Sequence, residues 1–265
     1  MTLSLPPLGL GTSNIDDREE CAETVARALE AGYRHVDTAQ MYDNEAGVGE
    51  GIARADVPRE EVVLATKIEP GNLAYDDAKR TARESLDRLG VDSVDMLYVH
   101  WPTKAYDPEE TLQAMDELRE EGVCDHVCLS NFTPDLLDEA HDLLDSPVAA
   151  HQVECHPRFR QDELRAYARE HGHHLVGYSP LGRGDLLDDP DISEIADEHD
   201  TTAAAVCLAW AFAQDALVPI PKGRGDHVEA NLAAREVELD EAALERIDGL
   251  AEERFVDPDS AAWNR

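Results

Sequence analysis

Short apolar runs alternate along the whole chain with longer amphipathic stretches. The apolar runs fall at residues 7–11, 33–36, 62–66, 94–99, 126–129, 148–153, 174–178 and 217–220, and their lengths and composition suit strands buried on both faces. Between them, residues 18–31, 75–89, 109–121, 135–144, 161–171 and 202–214 carry helical periodicity; the first of these places Ala22, Val25, Ala26 and Leu29 on one stripe. Asp76 and Thr133-Pro134 read as helix starts, and Gly32, Gly90, Gly122 and Gly172 as helix ends. Eight strands, each with a helix to follow, predict an α/β fold: a single (β/α)8 TIM barrel over residues 1–265, with a short N-terminal segment and a C-terminal tail over the barrel mouth. The rival arrangement, a doubly wound open sheet, carries a three-glycine fingerprint after its first strand. The segment LGLGTSNIDD has Gly9 and Gly11 but no third glycine in place.

Composition narrows the class of partner. The 58 acidic residues against 23 lysines and arginines give a formal charge of −35, which repels a phosphate backbone and excludes nucleic acid as a partner. The acids recur on nearly every predicted helix rather than forming a tail. With only four lysines, this surface resembles that of proteins from salt-accumulating haloarchaea, where molar salt screens charge to within about 3 Å. No apolar run is long enough for a membrane span, and the N-terminal stretch lacks a basic region and a cleavage site, so no secretion signal is expected. The five cysteines are scattered and odd in number, which suits reduced thiols and a cytoplasmic location.

In a barrel of this type the chemistry gathers at the C-terminal ends of the strands. Residues at or just after those ends are Asp37, Lys67, His100-Trp101-Pro102, Ser130-Asn131, Gln152, Tyr178-Ser179-Pro180 and Pro221-Lys222. Two of the four lysines are among them. Singly, each has a bland reading: Asp37 as a turn cap, Lys67 as a surface cation, His100 as a core histidine, Tyr42 as packing. Together, Asp37, Tyr42, Lys67 and His100 can make an acid. Tyrosine ionises near pH 10, an ammonium held by a carboxylate is expected to lower that value, and a histidine can orient a carbonyl oxygen beside the phenol.

The stretch GYRHVDTAQMYDNEAGVG, followed in order by VLATK, VDMLYVHWP, LSNF, HQVECHP, GYSPLG and IPK, resembles the aldo-keto reductase superfamily over essentially the whole chain. The short connection after His100 is similar to that of small prokaryotic 2,5-diketogluconate-reductase-like members. The resemblance implies a monomeric, NAD(P)H-dependent reductase of aldehydes, ketones or keto-sugars, with Tyr42, Asp37, Lys67 and His100 as a catalytic tetrad. It implies that Ser130, Asn131 and Gln152 hold the nicotinamide carboxamide and that Tyr178 stacks on the ring. Ser179, Leu181 and Asp185 would follow the pyrophosphate and Lys222 would meet a ribose 2′-phosphate; Thr12, Gly223, Arg224, His227 and Asn231 complete the expected cofactor set. No metal is implied. The other classes considered are a nicotinamide-binding regulatory subunit with little catalysis, and a lyase using Lys67 as an imine-forming nucleophile.

The sequence departs from the family pattern in three places. The cofactor segment KGRGDHVEAN is one residue short, with Gly223 for a serine, His227 near an arginine position and Ala230 for a glutamate. Lys222 keeps NADPH the favoured cofactor, with Arg224 as a substitute donor and NADH use open. Cys128 and Asp125 replace a glycine and a basic residue, as packing and surface changes. Ser13 stands where a large aromatic lines many substrate pockets, so Ser13 and Trp101 are expected to border a roomier pocket. HGHH (171–174) lies on the opposite face from the site and is not expected to bind metal, and Phe255 and Trp263 of the tail are candidates to touch substrate.

Overall fold

Alternation along each strand decides which side chains enter the centre of the molecule. The computed structural model describes residues 3–258 and 261. Eight strands run β1 (Leu10–Gly11), β2 (His35–Asp37), β3 (Val63–Ile68), β4 (Val94–Val99), β5 (Cys124–Ser130), β6 (Ala150–Glu154), β7 (His174–Tyr178) and β8 (Leu217–Pro219). They form one parallel sheet in the order β1 to β8. The sheet closes on itself: Gly9 N and Gly11 N donate to Pro219 O and Pro221 O, each at 3.0 Å, and Gly11 bridges Lys222 in parallel. Gly9 is required there, because a Cβ at that position would lie 2.5 Å from His35 Nδ1.

The helices are α1 (Arg18–Ala31), α2 (Glu45–Arg54), α3 (Tyr75–Leu89), α4 (Pro108–Glu120), α5 (Pro134–Leu143), α6 (Asp162–His171), α7 (Pro190–Glu198), α8 (Ala203–Phe212), α9 (His227–Ala233) and α10 (Glu241–Asp248). The predicted barrel is therefore present. Two helices, α7 and α8, follow β7. Many of the acids have local work: Asp17, Asp107, Asp189 and Asp240 cap α1, α4, α7 and α10 with their carboxylates, where the helix dipole favours negative charge. Among the described residues no helix is long and apolar enough to cross a membrane.

The core has two layers. Outward strand residues such as Val36, Leu64, Leu97, Leu129 and Leu175 pack with the helices in one large cluster. Inward residues Ala65, Met96, Tyr98, Cys128, Ala150, Val176 and Ile220 fill the barrel, so Cys128 is an interior packing residue and Asp125 lies exposed. One step further along the same inward rows the apolar filling gives way to Asp37, Lys67, Ser130, Gln152 and Tyr178. The register that sets Lys67 beside Tyr98 and Ser130 beside Gln152 brings these polar ends to one rim.

Candidate active site

Lys67, fully buried, rises from β3 to place Nζ 2.5 Å from Asp37 Oδ1 and 2.8 Å from Thr38 O. Asp37 Oδ2 accepts from Gln152 Nε2 at 2.8 Å, so this carboxylate holds partners across the barrel and does not cap the turn after it. A lone charge here would be strongly disfavoured; the pair with its added hydrogen bonds is tolerated. Above it lies the Tyr42 ring, whose centroid is 5.1 Å from Lys67 Nζ. Tyr42 meets the His100 ring edge-on, with centroids 5.8 Å apart.

The segment around Tyr42 is built to hold that phenol still. Tyr42 ends a tight turn (Gln40–Tyr42), and Asp43 follows in the left-handed region at φ 53°. Asn44 then ties the loop down: Oδ1 accepts from Thr38 Oγ1 at 2.8 Å and Nδ2 donates to Thr12 O at 2.8 Å. The glycines beyond belong to α2. At Gly49 a Cβ would lie 2.0 Å from Leu89 O, so glycine is what lets α2 close on the end of α3.

Electrostatics assign distinct protonation states. Burial lowers the Lys67 affinity for protons, but Asp37 and then Tyr42 outweigh it, and the ammonium is held above its ordinary value. A held ammonium has no lone pair for imine formation, which counts against the lyase reading. Burial, and then the charge of Lys67, push His100 well below its ordinary range, so the imidazole is neutral at neutral pH. For Tyr42 the expected lowering is not what results. Burial pushes its pKa up, and the opposing charge of Lys67 only partly offsets this, so the phenol is firmly protonated.

These groups open into a cavity of about 410 Å³. Of the anticipated residues, Asp37, Tyr42, His100, Ser13, Trp101, Asn131, Gln152, Tyr178, Ser179, Leu181 and Lys222 line it. Along one wall, Tyr178 OH donates to Asn131 Oδ1 at 2.9 Å, and Asn131 Nδ2 donates to His100 O at 2.9 Å and to Ser130 Oγ at 3.0 Å. Ser130 itself donates to Gln152 O at 2.9 Å and stays behind the wall.

The remaining anticipated residues lie outside the lining. Thr12 turns its hydroxyl to Asp37 O at 3.0 Å. Asn231 Nδ2 supports Lys222 O from behind at 3.1 Å, and Gly223 is buried against Val228. Arg224 donates to Asn14 O and stands 3.4 Å from Glu20, while Asp185 and His227 are exposed. Residues that the sequence did not single out also line the cavity: Arg183, Gly184 and Val256. Arg183, between two glycines in a lysine-poor chain, carried a signal; Val256 carried none.

Two further sequence features lie outside the cavity lining. His171 stacks on both Tyr167 and His141, with centroids at 4.1 Å and 4.8 Å, and no group of three or more metal-ligating side chains occurs among the described residues. Phe255 packs on His156, centroids 5.1 Å apart, instead of lining the cavity; Trp263 lies outside the described residues.

The site thus sets a buried lysine–carboxylate pair beside a protonated tyrosine and a neutral histidine at the mouth of a closed parallel barrel, where the chemistry of such barrels gathers. Residues 7–252 match the model of the Aldo/keto reductase family, and the chain belongs to that family, whose reaction class is carbonyl reduction. It is 39% identical over 247 residues to an aldo-keto reductase of Mycobacterium avium, covering 93% of this chain and 86% of that one. It is 37% identical over 264 residues to methylglyoxal reductase DkgB of Escherichia coli O157:H7, covering 98% of each. The crystal structure of a Bombyx mori aldo-keto reductase in complex with NADP superposes with a TM-score of 0.88 at 28% identity, over 96% of this chain and 92% of that chain.

Proposed function

We propose that this chain reduces small aldehydes, ketones or keto-sugars with NADPH, and that Tyr42 is the general acid. The observation that carries the reading is a chain of contacts: Asp37 holds Lys67, Lys67 lies 5.1 Å from the centre of the Tyr42 ring, and His100 flanks that ring as a neutral imidazole. Tyr42 keeps its proton until an oxygen that is gaining negative charge arrives, and Lys67 then stabilises the phenolate left behind. His100, neutral, can donate an N–H to the same oxygen and fix its direction without competing as an acid. The fully buried Lys67–Asp37 pair keeps its geometry through this, because both partners are locked by further hydrogen bonds.

The cavity suits a nicotinamide dinucleotide. Tyr178 presents a ring, Asn131 and Gln152 present side-chain amides, and Arg183 and Lys222 add positive charge at the rim. When bound, such a cofactor supplies the hydride. Asn131, Gln152 and Tyr178 would hold the nicotinamide, Ser179 and Leu181 would run beside the phosphates, and Lys222 would meet a 2′-phosphate. Arg224 is occupied by Asn14 and Glu20, so the preference for NADPH over NADH rests on Lys222 with help from Arg183. Methylglyoxal reduction by DkgB supports a small α-oxoaldehyde as one substrate, and Ser13 leaves room for larger ones. A single barrel domain with its tail over the mouth, acting as a monomer in a salt-rich cytoplasm, completes the proposal; the charge of −35 supports the salt-rich part of it.

The test is loss of reduced-nicotinamide absorbance in molar KCl, with NADPH and NADH and a panel of aldehydes, ketones and keto-sugars. Wild type should turn over, NADPH should bind more tightly than NADH, and Tyr42→Phe should bind cofactor with turnover cut by about a hundred-fold or more. Tight cofactor binding with no turnover on any carbonyl would replace this reading with that of a regulatory nicotinamide-binding subunit.

A further inference from the structure

The inward row of β6 ends in two polar residues. Gln152 turns to Asp37; Glu154, 2% exposed, takes no part in the tetrad. A carboxylate this deep is costly unless its lone pairs are met. Glu154 meets them with the tail: Oε1 accepts from Phe255 N at 2.8 Å and Val256 N at 3.1 Å, and Oε2 accepts from Val256 N at 3.1 Å. Its Oε1 also lies 3.1 Å from His156 Nε2.

The loop after β6 holds the same stretch of tail at further points. Arg160 Nη1 donates to Leu250 O at 3.0 Å, and Glu253 N donates to Arg158 O at 2.6 Å. The Arg254 guanidinium lies 4.5 Å above the Phe159 ring. Held this way, the tail places Val256 in the lining of the active-site cavity, while Glu252 and Arg254 border a neighbouring cavity of about 490 Å³.

We propose that Glu154 is a positioning residue for substrate: by accepting the amides of Phe255 and Val256 it sets how close one wall of the cavity stands, and so which carbonyl compounds fit. The bonds go to main-chain amides, so Glu154 fixes the distance of the wall and Val256 supplies its apolar chemistry. The substrates that feel it are those long enough to reach Val256, such as aromatic aldehydes and keto-sugars, rather than a three-carbon oxoaldehyde. This rests on the reductase reading above.

Glu154→Gln keeps the shape but turns one acceptor oxygen into an N–H donor facing the tail amides. Two measurements on the full chain test the idea: steady-state kinetics with methylglyoxal and with an aromatic aldehyde, and amide hydrogen exchange over residues 250–258. The expected result is faster exchange in that segment, a rise of about ten-fold in KM for the aromatic aldehyde, a smaller rise for methylglyoxal, and kcat changed less than KM. The dissociation constants of NADPH and NADH should stay at their wild-type values. Val256→Ala, in contrast, should alter the aromatic-aldehyde KM without speeding exchange. Faster exchange with KM rising equally for both substrates would overturn the proposal and leave Glu154 a residue of general stability. Exchange identical to wild type would overturn it as well. Exchange is read without turnover, so a wild-type chain inactive on every carbonyl sinks the reductase reading while leaving the anchor itself measured.

Discussion

Gln152 reaches across the barrel from β6 to Asp37 on β2, Nε2 to Oδ2 at 2.8 Å, although these strands are not neighbours in the sheet. The side chain proposed to meet the nicotinamide amide therefore also braces the carboxylate that holds Lys67. Hydrogen bonds to charged groups contribute about 2 kcal/mol, so Gln152→Ala should lower kcat by about thirty-fold as well as weakening cofactor binding. Stopped-flow single turnover separates the two; a loss confined to binding would show that the brace does not matter to the chemical step.

Tyr42→Phe should cut kcat by about 10² to 10⁴-fold while the NADPH dissociation constant and melting temperature stay put. Because His100 is pushed well below its ordinary range, kcat/KM for reduction should be flat between about pH 6 and 8, with no inflection from this imidazole. A step near pH 6.5 that disappears in His100→Gln would contradict the neutral-imidazole assignment.

Lys67 and Asp37 should behave as a pair in stability and as separate necessities in turnover. Lys67→Met strands a buried carboxylate and should destabilise the fold by about 3–5 kcal/mol. The double variant with Asp37→Asn should recover much of the melting temperature and none of the activity. A double variant no more stable than Lys67→Met would mean that the charge pair is not what the single substitution disturbs.

Three buried histidines set an acid limit. Burial is the first cause in each case, lowering His35 and His173 to about 4 and His151 to about 3, against an ordinary 6.5. Around His173 lie His141, His171 and His174, and around His35 lie Asp37, Lys67, Asp95 and His174. With folded values depressed, the unfolded chain binds more protons between 6.5 and 4, so the stability these groups contribute is full above pH 6.5 and falls as pH drops through that window. Melting curves should show this decline, and His173→Phe should make it shallower.

Salt should act in the opposite sense to its usual effect on surface ion pairs. Arg54 with Glu19 and Glu50, or Arg246 with Glu194 and Glu198, are exposed pairs that contribute little. Against them stands the self-repulsion of a chain with a formal charge of −35, screened to about 3 Å in molar salt. The melting temperature should climb from dilute buffer to molar KCl; a salt-independent value would remove the halophilic reading.

The barrel was legible because apolar runs such as 94–99 and 174–178 are short and sharply bounded and helices such as 18–31 keep a helical stripe, and these match the observed elements residue for residue. Edges shifted where polar residues continue a strand: β3 runs to Ile68 and so contains Lys67, and β6 includes Glu154, because backbone pairing persists after the apolar pattern stops. Helix α2 was not picked out, since the packing need at Gly49 that makes it fit is a contact with Leu89, forty residues away by sequence. At the site, residues at strand ends could be named from position alone. The sign of the Tyr42 shift could not, because it depends on burial outweighing Lys67. Nor could Val256, whose place is fixed by Glu154 more than a hundred residues earlier.

The tail that Glu154 grips has a consequence for how the protein is made. Asp37, Tyr42, Lys67 and His100 are all in the chain by residue 100, whereas β8, whose backbone closes the barrel, and the wall residue Val256 are translated more than a hundred residues later. A growing chain thus carries these four side chains without the enclosure that β8 and Val256 give them until both have been added and have folded back onto the first strands.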